Sequence, residues 1–100
     1  MKAVDHIALE LVKHNLKLWT FPGGTLAHLY DACHRHGVEV VVPRSEFGCS
    51  YSAIGAAKTT GLTQVCAATS GPGAVGLVQG IADAYYDSVP VVFLTGQVGV

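Results

Sequence analysis

Glu46 is the residue whose type and setting most favour proton chemistry. It follows the β-branched run Val38–Val42, and Phe47, Gly48 and Cys49 come directly after it. An acid in the first turn of a helix gains ~0.3–1 kcal/mol from the helix dipole, and taken alone Glu46 is read that way. Its small and apolar neighbours point further, to a carboxylate partly withdrawn from water, as acid–base work often requires.

A second constellation is Gly71-Pro72-Gly73-Ala74-Val75-Gly76, which matches G-x-G-x-x-G between a strand and a helix. A dinucleotide-binding loop calls for an acid about 20 residues later to hold the ribose. Val91–Gln97 contains no acid and no arginine, and Pro72 removes an amide donor. The sequence therefore favours a glycine turn that lets a strand end close to a helix start over a Rossmann-type dinucleotide binder. His34 and His36 are two apart on a helix and do not share a face, and His6, His14 and His28 have no partner at ligand spacing. No metal site is expected. The sequence has no G-x-S-x-G elbow and no Walker motif. Cys33, Cys49 and Cys66 are odd in number and lack C-x-x-C spacing, which reads as reduced core thiols in a cytoplasmic protein.

These residues need a scaffold. The 100 residues allow one small domain; half are hydrophobic and 13% are charged, which excludes disorder. Six Lys and Arg stand against seven Asp and Glu, a balance that argues against nucleic acid or an anionic membrane as partner. No apolar run reaches the roughly 18 residues of a membrane span. After Lys58 there is no Lys or Arg, and the only acids are Asp83 and Asp87. That half is expected to lie against the rest of a longer chain or a second subunit.

Apolar spacing predicts helices over 3–14, from Thr25 as cap through Cys33, from Ser45 as cap through Lys58, and from the turn Ser70–Gly73 to Tyr86. Gly37 and Gly61 are expected terminators. Strands are expected at Leu16–Phe21, Val38–Val42, Gln64–Thr69 and Val91–Thr95. The alternation implies an α/β fold, a doubly wound parallel sheet with helices on both faces, and an incomplete domain. Ligands of such sheets bind beyond the carboxyl ends of the strands. Gly76, Gly80 and Ala84 form a small-residue stripe, expected to accept another subunit.

Four segments, Phe21-Pro22-Gly23-Gly24, Arg44-Ser45-Glu46-Phe47-Gly48, Thr69-Ser70-Gly71-Pro72-Gly73 and Asp87-Ser88-Val89-Pro90 with Leu94-Thr95-Gly96-Gln97-Val98, together resemble one family. It is the N-terminal pyrimidine-binding domain of thiamine-diphosphate enzymes of the acetolactate synthase and pyruvate oxidase type. The resemblance implies that Glu46 hydrogen-bonds N1′ of the aminopyrimidine and supports removal of the thiazolium C2 proton by N4′. It implies that Pro22, Gly23, Gly24, Thr69, Gly71, Pro72, Gly73 and Gln97 lie at the cofactor. Gly71–Gly73 then corresponds to a turn ordering the strand end rather than a diphosphate cradle. Ser45, Thr20 and Gly76 stand where the family pattern has His, Gly and Asn. The implied substrate is a 2-oxo acid, decarboxylated and ligated as in acetolactate synthesis; simple decarboxylation and a non-catalytic subunit are the alternatives. Mg²⁺ and the diphosphate would be held by a Gly-Asp-Gly…Asn domain that this sequence lacks, in an assembly of at least two copies. The resemblance leaves FAD open as an additional cofactor.

Overall fold

The computed structural model describes residues 1–99. Helix α1 (Ala3–Lys13) precedes strand β1 (Leu18–Thr20); a 3-10 turn (Gly24–Leu26) leads into α2 (Ala27–His36) and β2 (Val40–Val41). Then follow α3 (Glu46–Thr60), β3 (Gln64–Ala68), α4 (Pro72–Val75), α5 (Val78–Tyr86) and β4 (Val91–Thr95). All strand pairs are parallel, in the order β2-β1-β3-β4.

Each strand of the sheet's centre is apolar on both sides because each side carries helices. On one side Leu18, Val65 and Ala67 pack with Ala8, Leu11, Leu29, Ala32 and Cys33 of α1 and α2. On the other, Cys66 and Ala68 pack with Cys49, Ala53 and Leu77 of the layer that contains α3. This is the expected three-layer α/β arrangement. Leu18 and Leu77 are fully buried, and each such side chain contributes ~1.5–3 kcal/mol. The three cysteines are buried thiols. Burial pushes Cys49 up to about 11 and Cys66 to about 12, so these thiols stay protonated. Trp19 packs at the sheet, its indole N–H donating to Gln64 Oε1 at 3.1 Å.

The helix ends follow local capping rules. Ser45 Oγ accepts the Gly48 N–H at 2.9 Å, and Gly37 and Gly61 close α2 and α3 in the left-handed region. Four expectations change. The helix expected from the Gly71 turn to Tyr86 is two, because the chain turns at Gly76 and Leu77 and buries Leu77 in the core. Thr25 caps no helix; it lies in the 3-10 turn, and its hydroxyl bonds to Thr69 and Ser70. The Gly76–Gly80–Ala84 stripe faces this chain's own α3: a Cβ on Gly76 would come within 2.9 Å of Glu46 Cβ, and one on Gly80 would overlap Ser50. The continuous apolar run Val91–Leu94 would suit a strand buried on both faces, but β4 is an edge strand, with Val92 exposed and Val91, Phe93 and Leu94 half-buried. Among the described residues no helix is long and apolar enough to cross a membrane.

Candidate functional site

The chain winds from β1 outward to β2, then returns through α3 to place β3 on the other side of β1. The carboxyl ends of β1 and β3 therefore border the point where the winding reverses, where such sheets bind ligands. Thr20 ends β1 with its buried hydroxyl donating to the Ala67 carbonyl at 2.8 Å. Tyr30 Oη donates to the Phe21 carbonyl at 3.2 Å and anchors the next residue. The Pro22-Gly23-Gly24 segment then leaves the sheet held at its root.

Gly23 meets Thr69 so closely that a Cβ there would overlap the threonine side chain. Gly73 meets the same threonine from the α4 side: a Cβ would come within 2.7 Å of Thr69 Cγ2 and 3.7 Å of Glu46 Oε2. Gly71 reaches this geometry at φ 70°, ψ −130°, a conformation open to glycine alone. Pro72 then sits in the first turn of α4, where its missing N–H costs no hydrogen bond.

Glu46 enters from the N-terminus of α3, fixed by the Ser45 cap. It is half-buried, and its carboxylate accepts no hydrogen bond among the described residues. Gly76 lines its side chain so closely that a larger residue would crowd Glu46 Cβ, and a Cβ on Gly73 would stand at van der Waals distance from its Oε2. A carboxyl group without a protein partner, beside glycines at the switch point, can share a proton with a ring nitrogen and so suits an aminopyrimidine edge. The residues present thus fit the pyrimidine half of thiamine diphosphate. The second half of the chain, which supplies the Gly71–Gly73 turn and Gln97, offers no cation for its diphosphate, since no Lys or Arg follows Lys58.

Of the residues singled out in the sequence, Glu46, Gly23, Thr69 and Gly73 are linked in one cluster. Pro22 and Gly24 are exposed beside it, and Gly71 and Pro72 form its turn. Gln97 is exposed and lines a neighbouring groove of about 280 Å³ with Thr25, Leu26, His28, Thr95 and Gly96; Glu46 is not among its walls. A larger cavity of about 430 Å³ lies away from the cluster, between Glu10, His14, Leu62 and Val92. Sequence reasoning missed Thr25 and Tyr30, whose hydroxyls tie the loop after β1 to the rest of the site.

The model of the family described as "Thiamine pyrophosphate enzyme, N-terminal TPP binding domain" matches residues 1–100. The acetolactate synthase isozyme 2 large subunit of Escherichia coli (strain K12) is 54% identical over 78 residues, covering 78% of this chain and 14% of that protein. The acetolactate synthase large subunit of Lactococcus lactis is 48% identical over 97 residues, covering 90% of this chain and 17% of that protein. A probable acetolactate synthase large subunit of Methanocaldococcus jannaschii is 41% identical over 99 residues, covering 98% of this chain and 17% of its own length. The chain therefore spans about a sixth of these relatives or less. The parallel α/β sheet agrees with that match along the entire sequence: the chain belongs to the N-terminal TPP-binding domains of the thiamine pyrophosphate enzymes.

Proposed function

We propose that this chain supplies the pyrimidine-binding half of the active site of a thiamine-diphosphate enzyme that decarboxylates a 2-oxo acid and ligates the product, as in acetolactate synthesis. The observation that carries this reading is the free Glu46 carboxylate beside Gly73 and Gly76 at the switch point. Glu46 hydrogen-bonds N1′ of the aminopyrimidine and shares a proton with it. Gly23, Gly24, Thr69 and the Gly71-Pro72-Gly73 turn shape the wall against which the ring and the substrate lie. Gln97 stands at the rim. When bound, thiamine diphosphate supplies the thiazolium carbon that adds to the 2-oxo acid carbonyl and the electron sink for decarboxylation.

The diphosphate and Mg²⁺ belong in this reading to a separate domain, from the rest of the chain or another subunit. The exposed apolar residues Val75, Val78, Tyr85 and Tyr86 support an assembly of at least two copies. This chain alone binds the cofactor weakly, because charge-assisted contacts to the diphosphate are the strong ones and the second half of the chain has no Lys or Arg to give. The relatives' names favour carboligation over simple decarboxylation. A cytoplasmic location is part of the same proposal.

The test is Glu46→Gln in the holoenzyme, read by hydrogen–deuterium exchange at C2 of the bound cofactor. Glutamine keeps a hydrogen bond to N1′ but cannot exchange a proton with it. Exchange and kcat should both fall by about 10²–10⁴. Exchange at the parent rate would reduce Glu46 to a helix-start acid.

A further inference from the structure

Three segments converge beyond the strand ends: the loop after β1, the turn after β3 and the residues after β4. Thr25, in the first, touches the other two. Its Oγ1 lies 2.6 Å from Thr69 Oγ1 and accepts the Ser70 N–H at 3.2 Å. Gly96 packs onto it so closely that a Cβ on Gly96 would overlap the Thr25 hydroxyl. Thr69 in turn bears on Gly23 and on Gly73, the glycine beside the Glu46 carboxylate. A capping threonine would spend its hydroxyl on the amides of its own helix, whereas this one spends it on residues 44 and 45 positions away. The bond between the two hydroxyls fixes the rotamer of Thr69, and the Ser70 amide fixes the height of the turn that leads to Gly73.

We propose that Thr25 is a positioning residue: its hydroxyl locks Thr69 and the Ser70 amide, and so sets how Gly23 and Gly73 stand relative to the Glu46 carboxylate. The inference rests on the reading of Glu46 as the N1′ partner. Valine in place of Thr25 keeps the shape and removes both hydrogen bonds. Thr69 is then free to rotate between Gly23 and Gly73, and the wall of the pyrimidine site shifts without the loss of any group that touches the ring.

The experiment compares Thr25→Val and Thr25→Ser in the holoenzyme, with Glu46→Gln in parallel. Amide hydrogen exchange at Ser70, measured before cofactor is added, reads the lock itself; C2 exchange of bound thiamine diphosphate reads its consequence. Small misplacements of a reacting group cost up to about 100-fold, so Thr25→Val should slow C2 exchange by about tenfold or more and speed Ser70 amide exchange by a similar factor. Thr25→Ser, which keeps the hydroxyl, should recover both. The proposal is overturned if Thr25→Val leaves either readout at the parent value, or if Thr25→Ser is as impaired as Thr25→Val. If Thr25→Val does not fold, Thr25→Ala is judged by the same criteria. A slow Glu46→Gln beside an unaffected Thr25→Val overturns the positioning role alone. A fast Glu46→Gln overturns the reading of Glu46, and with it what Thr25 is proposed to position.

Discussion

Gly80 of α5 lies directly on Ser50 of α3, so closely that a single methyl group added to the glycine would overlap the serine Oγ and Cβ. Ser50 is fully buried and donates its hydroxyl to the Phe47 carbonyl at 2.8 Å, so it has nowhere to retreat. The small residues of α5 thus serve the packing of two helices within one chain. Gly80→Leu should push α5 away from α3 and destabilise the fold by about 1–3 kcal/mol or more, the cost of overpacking a tight contact. The expected result is a lower melting temperature with the assembly mass unchanged below it. Dissociation at full thermal stability, seen by light scattering, would place the stripe at a subunit interface instead.

Gly73→Ala tests the wall of the site. Its methyl would sit 2.7 Å from Thr69 Cγ2 and 3.7 Å from Glu46 Oε2. Thr69 is tied to Thr25 and yields only by breaking that bond. Cofactor affinity of the holoenzyme should fall at least tenfold, measured by calorimetry, while far-ultraviolet circular dichroism stays that of the parent. Parent-like affinity would show that Gly73 does not border the ring.

Ser45→Ala removes the acceptor of the Gly48 N–H at the start of α3. Loss of an N-cap costs ~1 kcal/mol, and here it frays the turn that carries Glu46. Melting temperature should drop by a few degrees, as ~1 kcal/mol does in domains of this size. Ser45→Asp should restore it, since aspartate caps equally well. Failure of that rescue would mean that the serine matters for something other than the cap.

Asp5 ties α1 to α2. Its carboxylate accepts bonds from the Arg35 guanidinium at 2.8 Å, from the His36 ring at 3.1 Å and from the Lys2 N–H at 3.1 Å. Arg35 first, and His36 next, hold its pKa down from 3.8 to about 2. The folded state therefore binds this proton less readily than the unfolded chain. Its stabilising contribution is complete above about pH 4 and disappears as pH falls toward 2. Asp5→Asn should lower stability near neutral pH and flatten the dependence of stability on pH between 4 and 2. A parent-like slope in that window, followed by circular dichroism, would show that the cluster does not couple folding to acid.

Much of this architecture was legible residue by residue. Ser45 before Glu46, and glycines at 37 and 61, mark helix ends because capping is satisfied within a few residues of the end itself. The apolar runs at 64–68 and 91–95 gave strands, and their alternation with helices gave a parallel sheet, since parallel neighbours require a crossover between them. Glu46 could be placed at the ligand edge from the same order of elements. Tertiary structure alone decided what the small residues face, where the last helix breaks and what Thr25 does. Those outcomes depend on contacts between residues 30 to 45 positions apart, such as Gly80 with Ser50 and Thr25 with Thr69 and Ser70, which no local pattern encodes. A small-residue stripe allows close approach by any backbone; only the folded chain determines that the backbone is its own α3, because Leu77 must turn into the core and carries Gly80 onto Ser50 as it does so.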